Sequence, residues 1–515
     1  MINVYDLVFV GSGLSCSYTL RHFLHLLKQA PQNRTLKLLF LEKDEQFWTG
    51  VAYGNRSGYN SHIITALRHF IPAEEKKEFT DWLQKNSNWV FDDFKRKNGP
   101  ASASWLNKNE SRINNQEWDD VYLPRYIFGL FLKEKVASAL QEATSGNLVT
   151  FELVTANVSA IEKHEGYYTI EAFESNYVKT EFRAWKVVLG IGSPPVRPSF
   201  NNLNAGPLPV HSIEDMYEPS MVSNIQSIET FLQRISIAGR KNILIIGSNA
   251  SALEVICSLA DSLNLRDDLD KIYVISTSGV FPNRINEKSH LSAYYPVNLS
   301  ELKNNTDCTP AAIYEAIKLD IGEATSSGID IDETYHPISN LLIDLVKSLD
   351  VVKKRQFVTR YGFEIGKLQR RAGADYLNVA DKLIADGRLK LIKGKFVNCV
   401  QGEDGVKLRF YDSGMSFQTL DVPFSVLINC SGFTSLKETQ SALINQLVNS
   451  QICKINSSDK GIVVNERFEA NDNLFVMGPL LAGNIIGDKM VWHVESCNRI
   501  FGLSQCLAPY LLNSD

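Results

Sequence analysis

Residues 4–10, VYDLVFV, are rich in β-branched and aromatic side chains and run directly into Gly11-Ser12-Gly13. An amphipathic stretch follows to about Gln29, and then LKLLFLEKD, residues 36–44, reads as a second buried strand. Strand, glycine turn, helix and strand in that order constrain the chain more than any other feature. A strand that is mostly apolar on both faces needs cover on both, so the pattern points this region to a parallel α/β sheet. The grammar returns later. NILII (242–246) predicts a strand, Gly247 a turn, Ser251 to about Leu263 a helix and KIYVIS (271–276) the next strand. Two separate openings predict two nucleotide-type domains.

A second repeat lies around these. Residues 149–192 and 389–432 each read as a three-stranded β-meander placed before a buried strand, with turns at Gly166 and Gly405. Residues 60–145 are mostly helical in pattern and carry Trp82, Trp89, Trp105 and Trp118; residues 309–387 read as a helical insertion. The expected fold class is α/β, with two Rossmann-like domains, β-meander insertions and a helical insertion. The expected domains are a discontinuous first unit at 1–240 and 388–515, a second at 241–308, and the insertion at 309–387 as the substrate region. A chain of 515 residues has room for about three domains at roughly 100–200 residues each.

The glycine turns carry the chemistry. Gly11 allows the tight turn and Gly13 lets backbone approach a pyrophosphate, while Leu14 and Ser15 open a helix whose unpaired N–H groups favour anions. Glu42, followed by Lys43, ends the second strand, where a carboxylate accepts hydrogen bonds from ribose hydroxyls. The second turn, Gly247-Ser248-Asn249-Ala250-Ser251, departs from the fingerprint: Asn249 replaces the second glycine, where its tolerance of positive φ would preserve the turn. Its strand ends in Ser276-Thr277-Ser278 without an acid, and Arg284 would serve a 2′-phosphate from a loop. A nicotinamide nucleotide, NADPH or NADH, is expected there.

These segments resemble the two-dinucleotide-binding-domain flavoproteins, which include flavin-containing and N-hydroxylating monooxygenases and pyridine-nucleotide reductases. The chain is most similar to the bacterial family of FAD-NAD(P)-binding proteins. VFVGSGLSCSYTL with Glu42 resembles the family's FAD-binding opening. WTGVAYG, with Gly50, Ala52 and Tyr53, resembles its flavin-proximal loop, and YLPRYIFGLFL its Pro-Arg-x-x-x-Gly helix start. VLGIGSPPVRP with Gly192, and VLINCSGF with Gly432, resemble crossovers that return to the FAD sheet. NLFVMGPLLAGNIIG, with Gly478 and Pro479, resembles the closing FAD strand. The resemblance implies bound FAD, NAD(P)H as reductant, and cofactor contacts at these residues and at Arg125. Cys430-Ser431-Gly432-Phe433 stands where N-hydroxylases carry an Ala-Thr-Gly-Tyr type motif, which does not support assignment to ornithine or lysine hydroxylases.

The expected function is that of an FAD-dependent, NAD(P)H-using monooxygenase acting with O2 on a small amine or thiol. The alternatives are a flavin reductase or dehydrogenase without oxygen insertion, and a flavin-binding regulatory scaffold. No catalytic side chain is identified. His62, His493, Trp48 and Tyr53 border the expected flavin region, and packing roles compete with chemical ones at each. A net charge of −5 without a basic block excludes electrostatic capture of nucleic acid. Eight cysteines without Cys-x-x-Cys spacing argue against a dithiol centre or zinc ribbon, and fit reduced thiols in the cytoplasm. No signal peptide, membrane span or metal site is expected; Asp330–His336 lacks a ligand frame. The oligomeric state stays open.

Overall fold

The fold is that of a computed structural model, which describes residues 4–512 apart from 31–33, 98, 175–176, 201–208, 237–238, 263–264, 266–268, 286–293, 305–307 and 494–495. The first unit opens with β1 (Val4–Val10), α1 (Leu14–Gln29) and β2 (Leu36–Glu42). Helices α2 (Ala73–Lys97), α3 (Pro100–Asn114) and α4 (Arg125–Ser145) follow, then a meander of β3 (Val149–Lys163), β4 (Tyr168–Glu174) and β5 (Lys179–Leu189). The second unit opens with β6 (His211–Ile213) and continues with β7 (Ile243–Ile246), α5 (Ala250–Asp261) and β8 (Ile272–Ser276). The helix expected to reach Leu263 ends at Asp261; Leu263 itself lies outside the described residues. The insertion includes α6 (Pro310–Ser326), α7 (Ile331–Ser348) and α8 (Ala374–Ala385). Then come β9 (Leu389–Lys393), the second meander β10 (Lys395–Gln401), β11 (Val406–Tyr411) and β12 (Phe417–Phe424), and β13 (Val426–Asn429). The chain closes with β14 (Glu469–Asn471), β15 (Leu474–Val476) and α9 (Cys497–Leu512).

Two sheets form the core, the first mixed, with its meander strands β3, β4 and β5 paired antiparallel, and the second parallel. In the first, β2 pairs with β1 and β3, β1 also pairs with β5, and β5 with β15. In the second the order is β9, β8, β7, β13, β6. Burial explains the composition. All four residues of β7 and of β13 are buried, so neither strand can alternate polar with apolar. The meanders do alternate where one face meets water: β11 reads buried, half-buried, buried along its length. Gly166 and Gly405 turn them, with φ of +82° and +138°.

The strand pairing corrects the expected boundaries at residues 240 and 388, since β6 already pairs with β13 in the second sheet. Both β9 and β13 hydrogen-bond into the second sheet, and Gly432 therefore follows a strand that returns there and not to the FAD sheet. The final strand of the first sheet is β15, whose Val476 pairs with Leu189. The two crossovers run side by side: Arg197 N donates to Gly432 O at 3.0 Å and Thr434 N to Pro195 O at 3.1 Å.

Candidate dinucleotide sites and the seam between them

The N-terminus of α1 gathers residues that are far apart in sequence. Gly11 sits at φ +89°, and an added Cβ would lie 2.5 Å from Gly190 O. Its N–H donates to Leu41 O at 2.7 Å, which locks the turn to β2. Gly13 is the N-cap and no side chain caps the helix, so its first-turn N–H groups point outward as an anion site. A Cβ on Gly13 would meet Gly50 Cα at 3.4 Å, and one on Gly478, at φ +88°, would meet Ser15 Oγ at 2.7 Å. Gly13, Ser15, Gly50 and Gly478 thus converge, and Pro479 starts the short turn beyond. Leu14 is buried in the first helical turn.

Glu42 is buried at the end of β2, 8% exposed. Its Oε2 accepts from Ser12 N at 2.7 Å and Ser12 Oγ at 2.8 Å. The uncapped helix, the bare glycine backbone and the terminal carboxylate are the set an FAD pyrophosphate and ribose require. Lys43 points away to the surface, where its ammonium pairs with Glu218 at 2.8 Å.

The second turn copies this frame. Gly247 has φ +101°, an added Cβ would overlap Cys430 O, and its N–H donates to Ile275 O at 2.8 Å. Ser248 Oγ donates to Ser276 Oγ at 2.9 Å, as Ser12 does to Glu42. Asn249 caps α5 with φ −87° and no side-chain hydrogen bond, so the expected need for positive φ at this position is absent. Ala250 and Ser251 open the helix with their N–H groups unspent on a side-chain cap. The frame suits a second dinucleotide. Arg284 is held by α8 instead of standing over this turn: its guanidinium bonds Asn378 Oδ1 at 2.7 Å, Asp381 Oδ2 at 2.6 Å and Ala374 O at 3.2 Å.

The remaining expected contacts are structural in part. Tyr53 is buried, its ring packs on Phe70 and Phe128, and its hydroxyl meets Cys497 Sγ at 2.9 Å. Burial, with Tyr53's hydrogen bond opposing it, pushes the Cys497 thiol up to about 12. Ala52 packs on the same core beside it, and a Cβ on Gly129 would overlap Tyr53 O, which explains the glycine of Pro-Arg-x-x-x-Gly. Trp48 packs edge-on against Phe40. Gly192 and Gly432 hold φ of +80° and +96° with open space around them.

Arg125 is paired with a carboxylate of α5. Its Nη2 pairs with Glu254 Oε2 at 2.8 Å, and Tyr217 OH donates to the same oxygen at 2.7 Å. Burial works against its charge, but Glu254 overrides burial and keeps the guanidinium firmly protonated. His62 lies beside it, between Trp105 and Tyr376. Burial lowers its pKa to about 4, so the ring is neutral. Glu254, Tyr217, Ser61 and Asp261 were not among the expected site residues. A carboxylate inside the apolar run ASALEVICSL was the available signal, since such a group is rarely buried without a partner.

His493 O accepts from Arg499, whose guanidinium lies 4.7 Å from the Trp492 ring. Trp492 and Arg499, but not His493, help to line a cavity of about 320 Å³ between α7 and the C-terminal segment, with Leu342, Val346 and Met490. Among the described residues no group of three or more His, Cys, Asp or Glu is arranged to hold a metal, and no helix is long and apolar enough to cross a membrane.

Comparison with known proteins agrees with this geometry. The family model described as FAD-NAD(P)-binding matches residues 8–194. The one described as L-lysine 6-monooxygenase/L-ornithine 5-monooxygenase matches residues 122–297, which ends before the divergent Cys430-Ser431-Gly432-Phe433 crossover that had argued against such a relationship. Uncharacterised proteins of Mycobacterium tuberculosis and Mycobacterium bovis are each 32% identical over 525 residues, covering 99% of this chain and 96% of theirs. The reduced ornithine hydroxylase of Pseudomonas aeruginosa superposes with a TM-score of 0.57 at 15% identity, over 99% of both chains. The FAD-bound cadaverine monooxygenase of Erwinia amylovora gives 0.55 at 12%, over 99% of this chain and 95% of its own. At those identities the likeness is one of fold. With its mycobacterial relatives, the chain belongs to the FAD-NAD(P)-binding family of two-dinucleotide-binding-domain flavoproteins.

Proposed function

We propose that this flavoprotein is an NADPH-using monooxygenase that hydroxylates the nitrogen of a small primary amine. The observation that carries the reading is the match of the lysine/ornithine monooxygenase model across α4, the first meander and the second glycine turn. FAD, when bound, supplies the redox chemistry that couples NADPH oxidation to O2. The chain supplies the rest. The N-terminus of α1 holds the FAD pyrophosphate and Glu42 its ribose; the N-terminus of α5 holds the nicotinamide nucleotide. Ser276 stands where the first unit has Glu42, and without a carboxylate there a 2′-phosphate meets hydroxyls instead of a like charge, which favours NADPH over NADH. The cavity where α7 meets Trp492 and Arg499 is the candidate substrate end, and it gives the helical insertion a role.

The test is turnover of the purified, FAD-loaded protein with NADPH, O2 and a panel of lysine, ornithine and short diamines. The expected result is a product heavier by one oxygen atom, with little peroxide. Peroxide equal to NADPH consumed for every amine would favour the reductase reading instead.

A further inference from the structure

Helix α5 carries a polar stripe through an apolar sequence. Glu254, Ser258 and Asp261 recur at i, i+4 and i+7, on one face of the helix. They are 3%, 8% and 8% exposed. The other faces are spent: Ala252, Val255, Ile256 and Leu259 pack in the core of the second sheet, and Leu253 and Cys257 join Tyr376 and Leu377 of α8.

The stripe finds its partners chiefly in the first unit. Glu254 Oε2 accepts from Arg125 Nη2 at 2.8 Å and from Ser61 Oγ at 3.3 Å. Ser258 Oγ donates to Asn60 Oδ1 at 3.2 Å. Asp261 accepts from Asn60 Nδ2 at 3.3 Å, Gly99 N at 3.1 Å, Ser102 N at 3.3 Å and Ser102 Oγ at 3.0 Å. Asp261 is in the last turn of its own helix, where the dipole disfavours an anion. It sits instead at the first turn of α3, whose N-cap Gly99 offers no side-chain cap. A Cβ on Gly99 would overlap Asp261 O, so the glycine permits the approach. One unit therefore caps a helix of the other. Tyr376 OH completes the seam, accepting from His62 N at 2.5 Å.

The geometry points to this stripe as the positioning device of hydride transfer. Arg125–Glu254 and Asp261 hold both ends of the nucleotide-binding helix at a fixed angle to the FAD unit, so that the second unit does not swing between binding NADPH and delivering hydride. This rests on the reading that α5 binds NADPH.

The test uses full-length, FAD-loaded protein and three readouts: NADP+ affinity, the anaerobic rate of flavin bleaching at saturating NADPH, and amide hydrogen exchange. Misalignment of reacting groups by an ångström costs up to about 100-fold in rate, so Glu254→Ala is expected to bleach at least about tenfold more slowly, with NADP+ affinity changed by less than about threefold. The paired Arg125→Met/Glu254→Met variant, made together with Tyr217→Phe so that the hydroxyl bonded to Glu254 is not left without its acceptor, is expected within about threefold of the wild-type rate, because an apolar cluster can close a buried seam that a lone charge cannot. Asp261→Asn should raise exchange at the Gly99 and Ser102 amides. If Glu254→Ala loses FAD, Glu254→Gln carries the same test. Wild-type bleaching by a folded Glu254 variant would overturn the proposal, and so would a paired variant as slow as the single one, since Arg125 would then act on the ligand directly. Wild-type protein that NADPH does not bleach would instead defeat the functional reading beneath it.

Discussion

The two nucleotide turns share a frame and differ in what fills it. In the first, Gly190 N donates to Val10 O at 2.9 Å; in the second, Cys430 N donates to Ile246 O at 2.7 Å, so the two crossovers are equivalent. Yet the sulfur has changed sides. In the first unit Cys16 occupies the third fingerprint position and faces a glycine, Gly190. In the second, Ala252 occupies that position and the crossover carries Cys430. Close helix–strand packing is a requirement on the sum of two side chains, and each turn meets it in its own way. The same holds for Glu42 and Ser276: one serine hydroxyl reaches the end of the neighbouring strand in both units, and only the residue it meets there separates a ribose-binding carboxylate from a neutral pocket.

The comparison breaks most visibly at the turn glycines. Gly11→Ala forces a side chain into positive φ and against Gly190 O, with an expected loss of about 3 kcal/mol or more in stability. Thermal unfolding and the FAD content of the purified variant check it; a yellow protein of wild-type stability would show that the turn is not under this constraint. Next comes the packing exchange. A Cβ on Gly190 overlaps Cys16 Sγ, so Gly190→Ala is expected to cost about 1–3 kcal/mol by overpacking. Adding Cys16→Ala should recover most of that, because it recreates the division of volume seen in the second unit. Denaturant midpoints of the two variants measure the recovery, and additive losses would refute the equivalence. The smallest effect concerns selectivity. Ser276→Glu gives the second turn the carboxylate of the first and should weaken NADPH binding about tenfold relative to NADH, leaving FAD content unchanged. Titration of both nucleotides reads this directly, and an unchanged ratio would mean that the end of β8 does not face the ribose.

Much of the frame was legible in the sequence because it is local. β1, α1, β2 and their counterparts β7, α5 and β8 follow from apolar runs broken by glycine, and both meanders from alternation around Gly166 and Gly405. Sheet membership was not legible. VLIN at 426–429 is continuous apolar sequence, and nothing in such a run says which of two sheets it will enter. Arg125 was legible as a residue with work to do but not as the partner of Glu254, 129 positions away. Arg284 looked available for a phosphate only because Asn378 and Asp381 lie on a helix that sequence proximity does not bring near. Asn249 illustrates the opposite error: its side chain tolerates a conformation that the backbone there does not adopt.

The central claim is that the first unit holds the flavin and the second delivers reductant to it. Anaerobic NADPH titration of wild-type protein beside Gly247→Ala tests this most directly. The account predicts that both proteins purify yellow, that about one equivalent of NADPH bleaches the wild type, and that Gly247→Ala stays oxidised, because its added Cβ overlaps Cys430 O only in the second unit. Bleaching of Gly247→Ala at the wild-type rate, or loss of its FAD, would contradict that division of labour.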